Sequence, residues 1–347
     1  MRVNFFSCRF AKFFSIKKLK IFINYFLGPV LFIWLSISIY RHVIKHANWQ
    51  QSWAGIKAAV TDSEGWKFII VVLLMFVNWG IEALKWKVLI KHIQPISYVR
   101  AFKAVLSGLS ISVAMNTPNG VGEYFGRILY VKEGNRLRAI ALTFVGNISQ
   151  LIITVLFGWA GLIFLRYNLE TIPKLDVGLP LNWIRIILIG SLAGVFVLLF
   201  LYFRLSWFIK LLEKLPFVSK YTFFIQKLEE FEWKELLKVL LMSLLRYSVF
   251  IAQYVLLLQV FDVQITLLQS CWLTMVMFLA LAIVPTIALA ELGLRGQLSI
   301  HLFGLFSNNT LGIVLTATGI WLINLVVPAL AGSLFILGIK LFRSKAA

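Results

Sequence analysis

Long uncharged runs dominate the chain. Residues 21–40, 139–165, 186–203, 263–290 and 311–339 contain no Asp, Glu, Lys or Arg, and 239–261 is broken only by Arg246. Residues 68–81 are uncharged as well, and the helical pattern continues through Glu82, Lys85 and Lys87 to Ile90. A helix needs about 20 apolar residues to cross a ~30 Å hydrocarbon core, so most of these runs predict full crossings. The run 104–117 is the exception: as a helix its 14 residues reach only about 21 Å, too short to cross unaided.

Lys and Arg near helix ends set direction. Residues 1–20 carry Arg2, Arg9, Lys12, Lys17, Lys18 and Lys20 with no acid, and the tail carries Lys340, Arg343 and Lys345, which predicts both termini in the cytoplasm. Phe5, Phe6, Phe10, Phe13 and Phe14 interleave with the first group, as in a segment lying on anionic lipid. The 20-residue run to Tyr40 is longer than a signal-peptide core, so an uncleaved first helix is expected. Lys85, Lys87, Lys91, Arg100 and Lys103 precede residues 104–131, and Lys132, Arg136 and Arg138 follow them, so both ends lie on one side. Two limbs joined at Asn116-Thr117-Pro118-Asn119-Gly120 then form a re-entrant hairpin, which is tolerated only where the broken backbone is buried in protein or lines a watery cavity.

The expected fold is all-α and polytopic, with about six full crossings and two re-entrant helical hairpins. Its divisions are a basic interfacial segment (1–20), a first transmembrane helix and external loop (21–66), a first hairpin unit (67–165), a loop, helix and cytoplasmic linker (166–234), a second unit (235–340) and a tail (341–347).

The two units are expected to repeat. Gly120-Val-Gly-Glu123-Tyr-Phe-Gly-Arg127 and Ala288-Leu-Ala-Glu291-Leu-Gly-Leu-Arg295 lie 168 residues apart, after Pro118 and Pro285. The same offset carries Lys67 to Glu235 and 139–165 to 307–333. By charge count the first unit enters from outside and the second from inside, so the copies are inverted, an architecture of many secondary transporters. Ordinary kinks in a structural bundle are the competing account, and 263–290 is long enough to cross fully.

Composition narrows the chemistry. The chain is 60% apolar and only 14% charged, against about 25% charged residues in soluble domains. Mean hydropathy is +0.88. The formal charge of +20 sits at the ends of apolar runs, which indicates a membrane surface and not nucleic acid. Cys8 and Cys271 cannot build a disulfide framework or a Cys-based zinc site, and His42 and His46 have no evident third ligand. Asp62, Asp176 and Asp262 are far apart, so no clustered carboxylates are available for Mg²⁺ and pyrophosphate, and there is no HExxH, GxSxG or P-loop. Neither metal, cofactor nor enzymatic chemistry is expected.

Ionisable residues inside a membrane are costly and mark functional sites. Arg127 and Arg295 suit bidentate phosphate binding, and helix starts after Pro118 and Pro285 present free N–H groups and a positive dipole end. Asn119 and Gly120 lie at the first of these starts, with the two prolines as hinges. Glu123 and Glu291, four residues before each Arg, can orient it, receive a cationic head group, or simply neutralise it. Arg246 with Gln253, and Asn78 with Glu82 and Lys85, form two further polar stripes that either line a cavity or snorkel. Asn147, Gln150 and Thr154 share a helix side and are expected to hydrogen-bond another helix.

Pro118 followed by Gly122-Glu123 and Arg127, the Trp86-Lys87 ending of the second apolar helix, and Pro285 with Leu292-Gly293-Leu294-Arg295 resemble the lysylphosphatidylglycerol synthase transmembrane-region, or flippase-like, family over residues 20–340. In two-domain relatives this module precedes a cytosolic aminoacyl transferase domain and is implicated in moving modified lipid between leaflets. The resemblance implies a flippase-like transporter or binder of an anionic or lipid-linked molecule. Because the chain stops at Ala347, synthase activity is not expected. The chain departs from the family pattern at Gly146, Asn147 and Gln150, and at Gly296, which leaves the identity of its substrate open. The alternatives are a scaffold for a partner lipid- or envelope-modifying enzyme and, less favoured, a membrane-embedded transferase.

Overall fold

The structure is a computed structural model and describes Ile33, Ile37 and residues 65–115, 121–171, 181–204, 231–284 and 290–337. The regular elements among them are all helical: α1 (Gly65–Ile90), α2 (Tyr98–Met115), α3 (Val121–Ile128), α4 (Arg136–Thr171), α5 (Leu181–Phe203), α6 (Trp233–Val260), α7 (Leu267–Ile283), α8 (Ala290–Phe303), α9 (Thr310–Trp321) and α10 (Val327–Leu337). A π-helical turn, Leu322–Val326, joins α9 to α10.

Six helices among the described residues are long and apolar enough to cross a membrane: Gly65–Ile90, Tyr98–Met115, Glu133–Asn168, Arg185–Phe203, Trp233–Val260 and Thr310–Ile336. Five coincide with crossings read from the sequence. The first expected crossing, 21–40, lies outside the described residues except for Ile33 and Ile37, both helical. The additional helix is α2. It begins in the polar segment at Tyr98, where the apolar run starts only at Ala104, and its 18 residues reach about 27 Å.

The uncharged run 263–290 is not one helix. Asp262 takes a left-handed φ of 53°, ending α6, and the turn lets Val263 N–H donate to Leu258 O at 2.9 Å. Thr266 then starts α7 with a capping box, accepting from Gln269 N–H while Gln269 accepts from the Thr266 N–H. Helix α7 stops at Ile283 and α8 starts at Ala290. The interval contains Pro285, outside the described residues.

Small residues allow the close contacts. Along α3, Gly122 lies on the Ser112 backbone of α2 and Gly126 on Gly108, so that a Cβ at either glycine would overlap main-chain atoms. This is the small-xxx-small contact of membrane helices, four residues apart on both partners. Helix α10 meets α2 similarly at Gly332 and Leu106, and α4 meets α7 at Gly158 and Gly161.

Helices α1 and α6 run antiparallel. Val71, Asn78 and Lys85 on α1 contact Gln253, Arg246 and Ser243 on α6 in that order, so numbers rise along one helix as they fall along the other. Their outer faces are apolar: Ile69, Leu73, Phe76, Leu241 and Leu245 are exposed, whereas Asn78, Glu82, Lys85, Ser243 and Gln253 are buried. Such an inside-out distribution suits a lipid surround. Element bounds also recur along the chain. Helices α1 and α6 start 168 residues apart, α2 and α7 end 168 apart, and α3 and α8 start 169 apart.

Candidate functional site: a buried charge cluster on Glu82

Three helices converge on Glu82. On α1, Asn78, Glu82 and Lys85 follow one face at i, i+4 and i+7 and are all buried. Short α3 carries Arg127 to the same point because Gly122 and Gly126 let it lie against α2. Helix α6, antiparallel to α1, supplies Arg246.

The Glu82 carboxylate binds three cations. Arg127 Nη2 donates to Oε1 at 3.0 Å, Arg246 Nη1 donates to Oε2 at 3.0 Å, and Lys85 Nζ is 2.7 Å from Oε2. Arg127 Nη2 also donates to Glu123 Oε2 at 2.9 Å, and Arg246 Nε donates to Asn78 Oδ1 at 2.8 Å. Lys85 reaches Gly146 O at 3.3 Å and Ser243 Oγ at 3.4 Å, and that hydroxyl lies 2.7 Å from Ser149 Oγ. Removing ions from water costs several kcal/mol each, and only shared hydrogen bonds of this kind offset it.

The π-helical turn completes one side. In an α-helix Asn324 O would accept from residue 328, which here is Pro328 and has no N–H. Trp79 Nε1 donates to that carbonyl instead, at 3.2 Å, while Asn78 Nδ2 donates to Asn324 Oδ1 at 3.2 Å. Trp79 also offers its ring to Arg246, whose guanidinium carbon is 5.1 Å from the Trp79 centroid and 5.4 Å from Phe250.

The second motif forms its own ion pair, Arg295 with Glu291, on α8. Among the described residues no hydrogen bond or ion pair joins it to the Glu82 group. An aromatic path does: Arg246 lies over Phe250, whose ring centroid is 6.0 Å from Phe278, and Arg295 lies 5.8 Å from Phe278. The structure therefore brings Glu123, Arg127 and Arg246 together through Glu82 and sets Glu291 and Arg295 apart across two phenyl rings. Pro118, Asn119, Gly120 and Pro285 lie outside the described residues, as do Cys8, His42 and His46. Asn147 meets the interhelical expectation, donating to Tyr124 Oη at 3.1 Å, but the Thr154 hydroxyl donates within its own helix to Gln150 O.

Reading the sequence picked out Arg127 and Arg246 but missed Glu82 as their common partner. The signal was present in the spacing, since Asn78 and Arg246 are 168 residues apart, the interval of the repeated motif. Asn324 was missed altogether, although Pro328 four residues later marks its carbonyl as one the helix cannot use.

Comparison with known proteins agrees with the residue-level resemblance. No curated protein matches the chain significantly. The family model for the lysylphosphatidylglycerol synthase TM region matches residues 20–332, which takes in every helix described except the end of α10. That model describes a membrane region and not a catalytic domain. With its membrane-length helices and this match over most of its length, the chain belongs to the lysylphosphatidylglycerol synthase TM region family.

Proposed function

We propose that this protein is a flippase-like membrane transporter or binder of an anionic phospholipid or lipid-linked molecule, and not an enzyme. The observation that carries the reading is the Glu82 cluster, where two guanidinium groups converge on one buried carboxylate. Ionisable residues in a membrane interior are costly and mark substrate or ion pathways. Guanidinium is the side chain suited to phosphate.

Alternating access needs a site presented to each side in turn, which inverted repeats supply. In this reading α1–α4 and α6–α10 are inverted copies, and α2–α3 and α7–α8 are re-entrant hairpins. The recurring bounds and antiparallel α1 and α6 support the inversion. The protein resides in the cytoplasmic membrane with both termini inside, a placement supported by Lys87, Lys91, Arg100, Lys103 and Lys132 beside the first hairpin.

The test is leaflet exchange of fluorescent phosphatidylglycerol in proteoliposomes. Exchange above that of protein-free liposomes is expected. Background exchange together with no retention of anionic lipid through purification would contradict the reading.

A further inference from the structure

Formal charges around Glu82 do not cancel. Lys85, Arg127 and Arg246 bring three positive charges to the two negative charges of Glu82 and Glu123, leaving a surplus of one. No other acidic residue among those described pairs with these cations. In low dielectric an uncompensated charge favours recruitment of a counter-ion of equal size.

The two arginines are not equivalent. Arg127 has a side chain 2% exposed and its Nε is enclosed without a partner, while Arg246 is 14% exposed. Arg246 uses Nε on Asn78 and Nη1 on Glu82, so its Nη2 has no described partner. Trp79 and Phe250 hold the guanidinium by their rings. Thus the most accessible cation of the cluster also keeps a spare donor, Nη2, with two aromatic rings beside its guanidinium.

We propose that Arg246 selects the headgroup: its free edge takes a monoanionic phosphodiester, whose single charge cancels the surplus while Glu82 stays tied to Lys85 and Arg127. This rests on the lipid-binding reading above and narrows it to a charge class. A phosphomonoester carries about −1.5 to −2 and overshoots the surplus. A choline phosphodiester carries its own cation, leaving the surplus unmet.

The experiment uses the full chain, delipidated in detergent and equilibrated with mixed micelles containing equal amounts of phosphatidylglycerol, phosphatidic acid and phosphatidylcholine. Retained lipid is quantified by mass spectrometry on monodisperse protein. Wild type is expected to retain phosphatidylglycerol over phosphatidylcholine by about tenfold, the scale of one hydrogen bond to a charged group. Arg246→Gln, which formally removes the surplus, should bring that ratio close to one. Glu123→Gln raises the surplus to two and should shift retention towards phosphatidic acid. If Arg246→Gln fails to fold, Arg246→Lys keeps the charge but not the planar fork, and should keep the lipid order while losing affinity.

An undiminished phosphatidylglycerol preference in Arg246→Gln would overturn the proposal, as would an unmoved lipid ratio in Glu123→Gln, or a changed lipid order in Arg246→Lys. Leaflet exchange separates the two levels. Wild-type exchange that is unaffected by Arg246→Gln removes the selector and leaves the transport reading intact. Arg246-dependent retention without exchange does the reverse.

Discussion

Arg246 Nε donates a 2.8 Å hydrogen bond to Asn78 Oδ1, and the two residues stand 168 positions apart. That interval also separates Glu123 from Glu291 and the start of α1 from the start of α6. Residues at corresponding positions of two copies touch where a two-fold axis relating them passes, so the contact places such an axis, in the inverted-repeat proposal, beside the Glu82 carboxylate. A site on the axis would be equally accessible to both halves.

Inversion predicts opposite sides for corresponding loops. Single cysteines replacing exposed Lys132 and exposed Asn308, in a background without Cys8 and Cys271, should react differently with an impermeant thiol reagent. Outside reagent should label position 308 and spare 132, and a cysteine at Asn119 should also be spared. Equal labelling of 132 and 308 from outside would rule out inversion.

The contact of α3 with α2 depends on glycine. Gly126→Ala forces a Cβ into the Gly108 backbone, whereas Gly134 is exposed with open space around it. Overpacking costs typically about 1–3 kcal/mol, so Gly126→Ala should lower the thermal midpoint in detergent while Gly134→Ala stays close to wild type. Equal midpoints would show that α3 does not seat on α2.

Glu82 and Glu123 should differ in stability as well as in role. Glu82→Gln leaves Lys85, Arg127 and Arg246 gathered without their shared anion, and breaking one side of a buried pair costs about 3–5 kcal/mol. Glu123, with a side chain 21% exposed, forms an ion pair with Arg127 alone among the described residues, so Glu123→Gln should cost clearly less. Denaturation of both variants decides it, and similar losses would mean that Glu82 is not the centre of the group.

Reversing the first motif separates neutralisation from architecture. In the double variant Glu123→Arg with Arg127→Glu, the new carboxylate at 127 would face Glu82, where Arg127 now donates at 3.0 Å. Lipid exchange should be lost in protein that still elutes as folded material. Full activity would show that Glu123 and Arg127 serve each other alone.

The crossings were legible because a lipid surround leaves long uncharged runs, and the Glu123–Arg127 pair because i, i+4 spacing puts both on one helix face. Arg246 stood out as a lone charge in an apolar run. Glu82 did not reveal itself as the centre, since that depends on the register between α1 and α6, which is set by helix packing far apart in sequence. Helix α2 was read too short because its first turns at Tyr98–Lys103 are polar, and hydropathy does not register a helix that starts before its apolar part. The break between α6 and α7 was legible at Asp262, but whether 263–290 crosses as one helix was left open: the run carries no charge, and a helix end without charge is invisible to a search for charged residues.

The central claim is that the arginines gathered on Glu82 handle an anionic lipid. Its most direct measurement is the leaflet-exchange rate of phosphatidylglycerol in proteoliposomes for Arg127→Gln and Arg246→Gln, singly and together, on folded monodisperse protein. Each single substitution should slow exchange by about tenfold or more, the scale of one charged hydrogen bond. Arg127 and Arg246, which share Glu82, should be less than additive together, since residues with a common partner couple. Exchange at the wild-type rate in the Arg127→Gln, Arg246→Gln double variant would contradict the account.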